Sequence, residues 1–136
     1  MNKGLLHAVS AGSLEGTLTF PQVVQMLSKE DVESYRVDLV QKLKTFYMPD
    51  GEVYSEHFDY IGPTAGTQFL QDQVIEAIKA IQNSKIKYRE FLDQILRAGT
   101  TSYSVYIKGS KAIYFGRNGD FHVENFPGPG GPTKGT

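Results

Sequence analysis

The chain has 136 residues, 40% of them apolar, no cysteine and a net charge of −1. That length holds one compact domain, or two half-domains sharing a core. The charge balance argues against an electrostatic grip on nucleic acid, which needs clustered Lys and Arg. The missing cysteines exclude disulfides and thiolate chemistry and suit a reducing, cytoplasmic setting.

The opening MNKGLLHAVSAG is too short for a membrane span and too weakly apolar for a signal peptide. It predicts a short amphipathic helix over 2–11, using Leu5, Leu6 and Val9 and ended by Gly12, with His7 on its surface. After a loop, Thr19 serves as an N-cap and Pro21 sits in the first turn, where its missing N–H costs nothing. Phe20, Val23, Val24 and Leu27 then recur at helical spacing to Lys29. From Glu33 the period drops to two: Tyr35, Val37 and Leu39 alternate with Ser34, Arg36 and Asp38, the pattern of a half-buried strand. Strands at 44–48 and 52–56 flank the turn Pro49-Asp50-Gly51.

The segment His57–Gly66 reads as a connector. Thr67 is the expected cap of the next helix, whose apolar stripe is Leu70, Val74, Ala77, Ile78 and Ile81. Asn83-Ser84 ends it, and a further helix from Tyr88 to Ala98 buries Phe91, Leu92, Ile95 and Leu96 before Gly99. Strands at 102–108, 111–116 and 120–125 follow, separated by Lys108-Gly109-Ser110 and Arg117-Asn118-Gly119. The tail 127–136 has no apolar side chain to bury and is expected to be disordered.

The chain contains one unit twice. Displaced by a constant 68 positions (126 − 58 = 68), Tyr88–Phe126 lies on Phe20–Phe58 without a gap. Ser102, Tyr103, Val105, Gly119, Glu124 and Phe126 meet Ser34, Tyr35, Val37, Gly51, Glu56 and Phe58 unchanged, though the match fades at 40–45 against 108–113. Each half reads helix, helix, and three strands. The expected class is α+β, with repeats of about 1–60 and 67–126 in a single domain. Their mainly antiparallel strands form one six-stranded sheet or two small sheets, covered by helices. The stretch RAGTTSYSVYIKGSKAIYFGRNGDFHVENFP, together with Phe20-Pro21 and Tyr35-x-Val37, resembles the YbcV-like family of small bacterial and prophage-encoded proteins. That resemblance implies a bacterial or prophage setting and a Tyr-rich, Gly-turned β-meander after a helix. Some members of that family carry a phage-envelope label, so it also implies the option of a structural phage component. It brings no catalytic residues.

Period-two reading assigns Tyr103, Val105, Ile107, Phe121 and Val123 to the core. The opposite face then carries Arg36, Tyr54, Glu56, Tyr106, Tyr114, His122 and Glu124, with Phe46 matched to Tyr114. Tyrosines set beside an arginine suit recognition. The leading expectation is therefore a non-catalytic binding or regulatory module. It would meet a protein or small ligand through Arg36, Tyr54, Tyr106, Tyr114, His122 and Glu124, or through a sheet edge. Open edges favour pairing with another chain, which makes a homodimer one expectation. The alternative is a small enzyme acting on a polar substrate with His122 and Glu124. No cofactor is expected, and no catalytic or metal set is assigned. His57 and Asp59 repeat the His122–Glu124 spacing, but the duplication aligns His122 with Tyr54 and His57 with Asn125, so it builds no symmetric metal site. Glu56 and Glu124 are read as solvated strand residues, and no phosphate loop or hydrolase signature occurs.

Overall fold

The computed structural model describes residues 1–127. Four helices, α1 (Lys3–Glu15), α2 (Phe20–Lys29), α3 (Gln71–Gln82) and α4 (Tyr88–Arg97), accompany six strands. These are β1 (Ser34–Asp38), β2 (Leu43–Tyr47), β3 (Val53–His57), β4 (Thr100–Tyr106), β5 (Lys111–Gly116) and β6 (Phe121–Asn125). The strands form one antiparallel sheet in the order β3-β2-β1-β4-β5-β6, so the class is α+β with a single sheet rather than two. The expectation for the tail lies, Pro127 apart, outside the described residues.

The duplication runs deeper than the side chains. Helices α2 and α4 begin and end 68 positions apart, as do β3 and β6, and α1 and α3 start with the same displacement. The cross-strand register Ser34↔Tyr47 recurs as Ser102↔Phe115, and Leu43↔His57 recurs as Lys111↔Asn125. Backbone positions with positive φ pair off in the same way: Gly16 with Ser84, Asp31 with Gly99, Lys42 with Ser110, and Gly51 with Gly119. The Lys42/Ser110 pair falls where the sequence match fades, so the backbone kept its turn after the side chains diverged. The halves meet through β1 and β4. There Arg36 faces its own equivalent, Ser104, and the flanking pairs Ser34↔Tyr106 and Asp38↔Ser102 exchange under the same displacement. A pseudo-twofold axis therefore passes through the middle of the sheet.

Two helix boundaries differ from expectation. Helix α1 continues through Gly12 to Glu15 and is closed by Gly16, whose φ of 79° supplies the left-handed cap. Gly12 marks a close approach instead: a Cβ there would lie 2.7 Å from Leu18 Cδ1. Helix α3 starts after Leu70 without a side-chain cap, so Thr67 does not cap it. The backbone N–H of Leu70 is held by the carbonyl of Ala98, 2.8 Å away. Helix α2 starts as its sequence predicts, with Thr19 and Gln22 forming a reciprocal capping box.

The core lies between the helices and one face of the sheet. Val37, Phe46, Val105 and Ala112 from the strands pack there with Leu6, Val9, Leu27, Val74, Leu92 and Ile95 from the helices. On this point the expected open-face placement of Phe46 on β2 and Tyr114 on β5, and of Tyr54, Glu56, His122 and Glu124 on β3 and β6, is wrong. His122 lies opposite Tyr114 and Glu124 opposite Ala112, while Phe46 pairs Tyr54 and Lys44 pairs Glu56. Tyr114 and Phe46 are buried, so Tyr54, Glu56, His122 and Glu124 turn toward the helices. Phe121 (60% exposed) and Val123 (37%) occupy the open face. Cross-strand pairing to an already oriented neighbour set the face of β6, and a one-residue difference inverts every side chain.

Candidate functional site

The six residues expected to share a recognition face are split between two faces. Arg36 and Tyr106 are exposed on the open face. Tyr54, Tyr114, His122 and Glu124 lie on the helix-covered face, so a single platform of all six does not exist. The helix-covered face carries a more specific feature: a cavity of about 360 Å³ between the sheet and the helices.

The duplication explains where this cavity sits. Its walls include equivalent pairs from the two halves: Tyr35 and Tyr103, Phe20 and Tyr88, Val23 and Phe91, Leu18 and Ile86. It therefore straddles the pseudo-twofold axis, under the α1–α2 and α3–α4 turns. Thr19, Pro21, Gln82, Ser84 and Lys87 form an exposed rim, and Tyr35, Tyr103 and Ala112 form a buried floor. The two halves then depart from symmetry. Where the second half has Ala112, the first has Lys44. The second half also contributes Tyr114, Glu124 and Phe126.

Lys44 is the residue that the sequence analysis passed over. It is 5% exposed, on the core face of β2 two residues before Phe46. Among the described residues its Nζ makes no salt bridge and no hydrogen bond. Instead Nζ lies 5.8 Å from the ring centre of Tyr35 and 5.7 Å from that of Tyr88, within cation–π range. Burial pushes its ammonium down to about 8, with the charge of Glu56 acting in the opposite direction. The alternation Lys44-x-Phe46-x-Met48 was the available signal: the period that buries Phe46 buries Lys44 as well.

Tyrosine hydroxyls supply the polar part of the floor. Tyr88 and Tyr103 are hydrogen-bonded to each other through their hydroxyls. Burial pushes the Tyr88 phenol up to about 12 and those of Tyr35, Tyr103 and Tyr114 well above their ordinary value. All four stay protonated at neutral pH, and within the Tyr88–Tyr103 pair one hydroxyl already donates to the other. The rings of Tyr103 and Tyr114 stack at 5.2 Å, and Phe91 meets Tyr114 edge-on at 6.2 Å, which holds the wall rigid.

The two equivalent glutamates are each tied to a histidine. Across the strands from Lys44, Glu56 Oε2 accepts from Nδ1–H of exposed His7 at 2.7 Å, while its buried Oε1 has no partner. The Glu56 carboxylate raises the pKa of His7 through that bond. His7 thus ties α1 to β3 rather than standing free on the helix surface. On the other side, Gln71 donates to His122 Nδ1 at 3.1 Å, and His122 Nε2–H donates to Glu124 Oε1 at 3.1 Å. His122 has both nitrogens engaged, and it is Glu124, not His122, that lines the cavity. The connector is fastened independently. The Tyr60 hydroxyl donates to Asp93, and Arg117 donates to the carbonyls of Ala65 (2.8 Å) and Gly66 (3.2 Å).

No family model matches the chain, and no curated protein matches it. Among the described residues, no group of three or more His, Asp and Glu side chains gathers to hold a metal ion. No described helix is long and apolar enough to cross a membrane.

Proposed function

We propose that this chain is a small-molecule-binding module, and that its site is the axial cavity under the helices rather than the open sheet face. The observation that carries this is Lys44, a buried amine that among the described residues makes no salt bridge or hydrogen bond, on the wall of a cavity of about 360 Å³. Burying an ammonium this far without an ion pair costs several kcal/mol, a cost that an anionic ligand entering the cavity would offset. Cavities of this volume suit small ligands, and mostly apolar walls with a few convergent polar groups are the usual composition. The matching ligand has an aromatic or aliphatic body, which packs on Tyr35, Tyr88 and Phe91. It carries one carboxylate, which meets Lys44 and the tyrosine hydroxyls. Glu124 repels a second negative charge. On the resemblance of the β4–β6 stretch to the YbcV-like family, we place this role in a bacterial or prophage setting.

Calorimetry with benzoate and octanoate, against benzamide and octanol as uncharged counterparts, tests the reading. Binding of the carboxylates that exceeds the uncharged pair, and that disappears in Lys44→Met, is the expected result. Equal, weak heats from all four compounds would rule the reading out.

A further inference from the structure

We infer that Lys44 is a carbonyl-capturing nucleophile: its amine forms a reversible imine with a small aromatic aldehyde held in the axial cavity. This rests on the cavity being a ligand site, as proposed above, but asks for more than charge pairing.

Three observations about geometry carry it. The amine lies on the cavity wall and no acceptor among the described residues engages it, so its lone pair is available once a proton has left. Lys44 is only 5% exposed, which limits the water that drives an imine back to aldehyde. The rings of Tyr35 and Tyr88 lie 5.8 and 5.7 Å from Nζ, so an incoming aromatic ring has flat partners on the approach to the amine. Both rings also favour a cation, and the protonated imine is one, so these contacts survive the reaction. A lysine at about 8 supplies on the order of 100-fold more neutral amine at neutral pH than a surface lysine.

The chemistry balances without an oxidant or reductant. The ammonium gives a proton to water. The neutral amine adds to the carbonyl carbon, and the carbonyl electron pair moves to oxygen, which takes up a proton. The nitrogen of the adduct then passes one of its protons to that oxygen, which leaves as water as the nitrogen lone pair forms the C=N bond of the protonated imine. One water leaves for each aldehyde joined, and hydrolysis reverses the step.

The probe is benzaldehyde, added to the full chain at neutral pH and trapped by sodium borohydride, with intact mass and peptide mapping as readouts. The expected product is a single benzyl group on Lys44, formed on the order of tenfold faster than on any other lysine. Its yield should rise with pH and level off near 8 rather than near 10.5. Lys44→Arg keeps the positive charge but cannot form the imine, so it should lose the fast adduct; unchanged circular dichroism verifies that it folds. Labelling spread over surface lysines with Lys44 untouched would overturn the inference, as would a fast adduct that persists in Lys44→Arg. The benzoate measurement separates the two claims. Benzoate binding without Lys44 labelling sinks the imine and leaves the binding module standing. Labelling without benzoate binding upholds the nucleophile and removes the carboxylate ligand.

Discussion

Lys44 sets a conflict between stability and ligand binding that can be measured. Burial lowers its pKa from 10.5 in the unfolded chain to about 8 in the fold. Below about pH 8 the amine is charged in both states, and the full desolvation penalty opposes folding. Between about 8 and 10.5 the unfolded chain binds more protons, so stability from this group rises with pH. The buried tyrosines act in the opposite direction, because their raised values make the folded state lose stability once the pH passes the unfolded value of 10. Urea midpoints of the wild type should therefore climb from pH 8 to 10 and fall beyond it. Lys44→Met, which removes the unpaired charge at similar volume, should stabilise the protein by about 1–3 kcal/mol at pH 7. That advantage should shrink by pH 10. A destabilised Lys44→Met protein would show that the amine has a stabilising partner after all.

At the scale of single elements, the turns carry the most local information. Thr19 and Gln22 satisfy each other's backbone donors at the start of α2, so Thr19→Ala should cost about 1 kcal/mol in thermal or denaturant unfolding. Gly99 is more constrained. Its φ is 96°, and a Cβ there would lie 2.0 Å from the carbonyl oxygen of Gln68. Gly99→Ala should cost about 2 kcal/mol or more, because both the backbone conformation and the packed connector resist it. Lys42 is the opposite case: it holds a φ of 57° in the β1–β2 turn, a conformation that a residue with a Cβ adopts only under strain. Lys42→Gly removes left-handed strain of about 1 kcal/mol, offset in part by added freedom of the unfolded chain. The net change expected on a melting curve is therefore slightly stabilising.

For the molecule as a whole, the axis is the organising feature. Neither half encloses the cavity, since its floor pairs Tyr35 from one half with Tyr103 from the other. Neither half closes its sheet either, since β1 and β4 pair with each other at the centre. An isolated fragment of residues 1–60 would expose the long edge of β1 and the apolar faces of α1 and α2. It should aggregate or remain unfolded at concentrations where the full chain is folded, as sedimentation and circular dichroism would report. A fragment that folded as a stable monomer would contradict the shared core.

The amino-acid sequence alone determined the duplication, the order of helices and strands, the turn positions and the core face of β1 and β4. Each of these rests on local pattern: glycine and proline at turns, period two in Tyr35-x-Val37 and Tyr103-x-Val105, and helical spacing in α2 to α4. Only the tertiary structure decided which way β2, β3, β5 and β6 face. An edge strand such as Phe121-His-Val-Glu-Asn carries apolar residues on its open side, and its orientation comes from the register it adopts against β5. The same holds for Lys44. With Phe46 read onto the open face, Lys44 two residues earlier fell there too, where a lysine's long stem and charge ordinarily reach water. The cavity on the pseudo-twofold axis, which leaves room for that amine beside Ala112, exists only once the two halves have packed together.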